Sequence, residues 1–160
     1  MDHKLQILIK LNCKALFGVP FFNQSTREST ISLKIYWRKN CVSSKQALLW
    51  FETHRIAIEC IEITKITHNE LIKLLLLTDG GFDDILKNRR TMKGRTKATI
   101  KTLDAMSFEE AIDYLVDHVE ILQTPIIVDK NQLFAGFNGS EIRQFIPSIN
   151  RKLDMRRNND

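Results

Sequence analysis

The sequence predicts an α/β protein built on a mixed sheet, ordered strand-helix-strand, a helical block, then strand-strand-helix. Three observations point there. Residues 31 to 36, Ile-Ser-Leu-Lys-Ile-Tyr, alternate apolar and polar, and an amphipathic run and a second apolar stretch, Ile56 to Ile63, follow closely. A strand-helix-strand unit with such short connections pairs its strands in parallel through a right-handed crossover. Thr67 with Glu70, and Ser107 with Glu110, are capping-box patterns, each just ahead of an apolar stripe. Pro125 then opens the run Ile126, Ile127, Val128, and a polar turn at Asp129 to Gln132 leads to Leu133 to Phe137, which is a hairpin.

Taken in order, the first element is ambiguous. Leu5, Ile7, Ile9, Leu11 and Cys13 would share one face of a strand, but Gly18, Pro20, Asn23 and the polar stretch Gln24 to Thr30 break the pattern. Lys10 and Lys14 interrupt the apolar core a signal peptide would need. Residues 1–30 are therefore read as an N-terminal extension, 31–150 as one domain with a helical insertion over about 64–122, and 151–160 as a flexible tail. Within the domain, Ala47, Leu48 and Phe51 mark a helix over about 43 to 54. Leu71, Ile72, Leu74 and Leu75 mark a helix from near Thr67 to the Gly80-Gly81 pair, and Phe82, Ile85 and Leu86 a further helical turn. Phe108, Ala111, Ile112, Leu115 and Val116 form a clear helical stripe behind Ser107. Asn138, Gly139 and Ser140 offer caps for a last short helix through Ile146, which Pro147 closes.

Composition sets the frame. At 160 residues, 43% hydrophobic and 27% charged, the chain can bury one core, and no apolar stretch approaches the roughly 20 residues of a membrane span. A net charge of +5 favours anionic surroundings, either nucleic acid or an acidic protein surface. Seven basic residues and no acid lie between Ile85 and Leu103: Lys87, Arg89, Arg90, Lys93, Arg95, Lys97 and Lys101. The ordinary reading of such a run is a solvated loop; the functional one is a docking patch. Cys13, Cys41 and Cys60 are odd in number and irregular in spacing, which argues against a disulfide framework and a zinc site and fits a reducing cytoplasm. The four histidines lack metal-ligand spacing, so neither metal nor cofactor is expected.

Cys41 is the candidate reactive thiol. It stands at the start of the first predicted helix, where the helix dipole and unpaired amides favour a thiolate, and Arg38, Lys39 and Lys45 add positive potential. The bland alternative is a small apolar filler of the loop. Three residues on, where a dithiol centre would carry its second cysteine, stands Ser44. Cys60, in the middle of the second predicted strand, reads as core and is a poor substitute. Oxidation of Cys41 would therefore give a sulfenic acid or a mixed disulfide.

Four stretches carry a resemblance: "CVSSKQALLWFETHRI", "LLTDGGFDDILKNRR", "MSFEEAIDYLVDHVEIL" and "TPIIVDKNQLFAGFNGSEIRQFIP". From about Ile31 to Ile149 the chain resembles the arsenate reductase and Spx family, and within it more the Spx regulators. The resemblance implies a thioredoxin-like fold with Pro125 as its cis proline, opposite the cysteine loop. It also implies a cytoplasmic, non-enzymatic, stress-linked regulator that binds the C-terminal domain of the RNA polymerase alpha subunit. DNA would be met only as part of the polymerase complex, and control by a Clp-type protease would be expected. Gly81 and Arg89 match the family's polymerase-binding positions, though a helix C-cap is the ordinary role of Gly81. Arg143 matches a family arginine whose ordinary reading is a solvent-facing ion pair. Spx proteins commonly carry a Cys-x-x-Cys switch, which Ser44 abolishes here. The alternative is an arsenate reductase-like enzyme with Cys41 as nucleophile and glutathione and glutaredoxin as reductants. That site needs arginines the family places just before the cis proline and beyond the hairpin turn, where this chain has Thr124 and the neighbourhood of Phe137.

Overall fold

The computed structural model describes residues 33–88 and 94–146. The predicted extension and tail, Cys13, Arg89 and Pro147 all lie outside the described residues.

Four strands form one mixed sheet in the order β2-β1-β3-β4, with β1 Lys34–Trp37, β2 Glu59–Glu62, β3 Ile126–Val128 and β4 Leu133–Ala135. β1 runs parallel to β2, pairing Ile35 with Cys60, and antiparallel to β3, pairing Ile35 with Ile127. β3 and β4 are the predicted hairpin, closed by Asp129, whose carboxylate accepts from the amides of Asn131 at 2.8 Å and Gln132 at 3.0 Å. This is the thioredoxin-like arrangement expected from the element order.

The pleat sorts the core into two layers. Ile35 and Ile127 point to one face, where helix α1 (Val42–Thr53) packs Ala47, Leu48 and Phe51 against them together with Ile142 and Phe145. Tyr36, Ile126 and Val128 point to the other, which the helical block covers. β3 is buried on both faces, so its sequence is a continuous apolar run rather than an alternation. β2 ends the sheet, half-buried throughout, with a glutamate at each end, and Lys34 of β1 reaches Glu59 at 3.2 Å.

The block comprises α2 (His68–Leu75), α3 (Phe82–Ile85), α4 (Arg95–Leu103) and α5 (Phe108–Asp117). Both capping boxes form. Glu70 also bonds the hydroxyl of Tyr36; burial first, and then this carboxylate, push that hydroxyl above its ordinary range. His68 ties α2 to α5 through Asp113 at 2.8 Å.

Three elements differ from expectation. α2 ends at Leu75, several residues before the glycine pair, because the chain tightens there: the Leu77 amide turns to the Leu74 carbonyl at 3.0 Å, and the Thr78 amide and hydroxyl take the Leu75 carbonyl at 3.1 and 2.7 Å. Gly81 therefore caps the start of α3 rather than the end of α2. Helix α4 lies in the basic run, where only a charged stretch was evident, and among its described side chains Ile100 and Leu103 are buried. The final predicted helix is a 3-10 helix, Glu141–Phe145, with Asn138 accepting the Ser140 amide at 2.9 Å. Among the described residues, no helix is long and apolar enough to cross a membrane.

The Ser107 box yields a stability prediction. Ser107→Ala should cost about 1 kcal/mol in denaturant unfolding, typical of a lost N-cap. The Ser107 hydroxyl and amide hold the exposed Glu110 carboxyl below its usual range. A depressed carboxylate stabilises above its unfolded value of about 4.3 and stops doing so as pH falls through the lower folded value. The stability difference between wild type and Glu110→Gln, followed from pH 7 to pH 3, should accordingly shrink on acidification; a difference that grows would contradict the box.

Candidate functional site

Cys41 is the N-cap residue of α1, extended at φ −97° and ψ 120°. Its amide donates to the Arg38 carbonyl and its own carbonyl accepts from Lys45, both at 3.2 Å, which closes the loop tightly. Ser44 is fully buried, and its Oγ accepts the Arg38 amide at 3.2 Å. The thiol donates from Sγ to the Thr124 carbonyl at 3.3 Å. Thr124 is joined to Pro125 by a cis peptide bond, and the Pro125 carbonyl accepts from Gly136 at 2.7 Å. The cysteine loop thus faces the start of β3 with the Cys41 sulfur against Thr124.

Burial on its own would raise the Cys41 thiol, but hydrogen bonds to the thiolate outweigh it. The Ser44 and Thr124 side chains contribute, as do the amides of Ser44 and Ser43, and the net effect lowers the thiol below its ordinary value. The carbonyl contact belongs to the protonated form; the hydroxyls and amides serve the anion.

Two cations complete the site. Arg38 turns its guanidinium onto the Val119 carbonyl at 2.6 Å and the Glu120 carbonyl at 3.2 Å, pinning the loop to the 3-10 turn Val119–Ile121 that follows α5. Lys87 arrives from the middle of the helical block, two residues after α3. Leu86 bridges Leu122 in antiparallel fashion, flanked by Lys87 N–H to Ile121 at 3.0 Å and Gln123 N–H to Ile85 at 2.8 Å. Burial, and then the Arg38 charge, hold the Lys87 ammonium below its usual range, while a Cys41 thiolate and Glu120 pull it back up. A polarised thiol with the Lys87 cation within electrostatic reach can attack an electrophilic sulfur or hold an anionic group.

Other predicted residues sit elsewhere. Gly81 precedes α3 with φ 63° and ψ −129°, a conformation that essentially only glycine adopts, and nothing lies within 4 Å of where a Cβ would stand. Arginine at this position would therefore strain the backbone although space is open. Segment 81–87 runs from Gly81 through α3 to Lys87, so the candidate docking glycine and the thiol's cation lie at its two ends. Arg143 is exposed on the last 3-10 helix. Cys60 is half-buried at the edge of the sheet rather than inside the core. Lys87 was legible only as one member of a basic run, because its approach to Cys41 depends on the pairing of residues about 35 apart in the chain, 86 with 122.

Both Cys41 and Cys60 are partly accessible, so relative reactivity should report electrostatics more than access. Cys41 should alkylate faster than Cys60 at neutral pH, and Ser44→Ala, which removes a hydroxyl from the thiolate, should move the Cys41 rate profile to higher pH. Equal rates for the two cysteines in the native protein would remove the case for an activated thiol.

Comparison with known proteins places this geometry. The profile of the ArsC family matches residues 36–145. The global transcriptional regulator Spx of Streptococcus pneumoniae is 28% identical over 126 residues, covering 78% of this chain and 92% of the regulator. Spx 2 of Oceanobacillus iheyensis is 30% identical over 115 residues, covering 71% of this chain and 83% of its own. Among solved structures, the arsenate reductase from Vibrio cholerae superposes with a TM-score of 0.53 at 20% identity, covering 70% of this chain and 92% of that one, a likeness of fold. With a profile that runs from β1 to the last 3-10 helix, the chain belongs to the ArsC family.

Proposed function

We propose that this chain is a transcription regulator of the Spx type, which acts by docking on RNA polymerase rather than by turning over a substrate. The observation that carries the reading is the match to nearly the whole length of proteins named as global transcriptional regulators. The finer proposal is that Gly81 and Arg89 meet the C-terminal domain of the alpha subunit. An open backbone at Gly81 supports it, because a partner chain can approach where no side chain intervenes. Arginine at position 89 supplies a forked donor to carboxylates or carbonyls.

Calorimetry with the isolated alpha domain tests this directly. Wild type should bind, and Arg89→Glu should weaken binding by about 2 kcal/mol, roughly thirtyfold. Lys97→Glu, in the same basic run, should cost much less if docking is specific. The strain at Gly81 makes Gly81→Arg informative only beside a melting curve. No binding by wild type, or full binding by a folded Arg89→Glu protein, would sink the docking reading.

A second reading rests on the lowered thiol and the Lys87 cation near it. It makes Cys41 the nucleophile of an arsenate reductase-like reaction, with glutathione and glutaredoxin as reductants. Against it, residue 124 before the cis proline is a nearly buried threonine, which brings no charge to a transferring oxyanion. The expected result is no steady arsenate reduction with both reductants supplied; turnover that disappears in Cys41→Ser would put the enzyme first.

A further inference from the structure

Beside Gly81 the surface changes character. The Phe82 ring, next in the chain, packs on the ring of Phe108 with centroids 5.8 Å apart, and Phe108 remains 49% exposed at the first position of α5. This aromatic pair adjoins the open backbone of Gly81, where a Cβ would meet nothing within 4 Å. Along the chain on either side of the pair the charge is of one sign. Segments 76–84 and 105–110 carry five carboxylates and no basic residue, in a chain whose net charge is +5. Several also hold local structure: Asp84 accepts the Gly80 amide at 2.7 Å, Glu110 closes its capping box, and Glu109 lies 3.4 Å from His68 Nε2. Asp79, Asp83 and Glu109 are exposed on the rim.

We infer that Phe108, seated on Phe82, is the apolar anchor of the docking face at Gly81, and that the protein surface it receives is basic: an apolar socket ringed by lysine or arginine. The inference rests on the polymerase-docking proposal and adds the chemistry of the contact. A half-exposed aromatic ring supported from beneath by another is the kind of rigid side chain that dominates interface energetics. The carboxylate rim selects a partner of opposite sign and repels a phosphate backbone, so this face does not touch nucleic acid.

The test measures binding of the full-length protein to immobilised RNA polymerase at several salt concentrations, with a melting curve for every variant. Phe108→Ser should weaken binding at least tenfold, and Phe108→Leu should recover most of it. Asp79→Lys combined with Glu109→Lys should also weaken binding about tenfold, and should abolish or invert the loss of affinity with added salt seen for wild type. If the folded Phe108→Ser protein and the double lysine variant both bind as wild type does, the aromatic face is wrong while polymerase docking stands. If wild type itself does not bind, both proposals fall.

Discussion

The short antiparallel join between residues 85–87 and 121–123 holds the rest of the site together. Two backbone hydrogen bonds, 3.0 and 2.8 Å, flank the Leu86–Leu122 bridge and bring the middle of the helical block, just after α3, together with the segment that follows its last helix beside the cysteine loop. One strand of the join delivers Lys87, and the other runs on to Thr124, whose carbonyl receives the Cys41 thiol. Arg38 adds a third tie, from the loop to the 3-10 turn on the same side. Because Leu86 and Leu122 are buried, these bonds are shielded from water and the join is rigid.

That join also relates the two proposed activities of the surface. α3 spans only Phe82–Ile85, so the peptide that presents Gly81 at one end reaches the join within a single helical turn. Lys87 lies where a change of charge on sulfur is felt. Lys87, which feels the charge on Cys41, and Gly81, the proposed docking glycine, thus lie on one short segment, 81–87.

Most of the fold was legible because periodicity and capping agreed. Thr67 with Glu70 and Ser107 with Glu110 placed two helix starts, and the alternation from Lys34 and the apolar run from Ile126 placed the two central strands. Helix ends were less legible. The leucine run from 74 to 77 continues the apolar signal beyond the turn that Thr78 closes, so α2 read too long. α4 went unseen because Ile100 and Leu103 are too few to mark a face among so many charges. Of the site, Cys41 and Ser44 were readable from their spacing at a helix start. Lys87 and the carbonyls that take Arg38 were not, since they depend on tertiary pairing that no local pattern encodes.

The strand at the end of the sheet has its own consequence. Among the described residues β2 leaves one edge unpaired, and its sequence is Glu-Cys-Ile-Glu. A second copy aligned in register along that edge would set glutamate against glutamate in either direction: Glu59 and Glu62 each opposite themselves if parallel, opposite one another if antiparallel. Like charges directly across a ladder are destabilising. The palindromic placement of two carboxylates guards the edge against growth by its own kind, while Cys60 and Ile61 between them stay available to the interior of this one molecule.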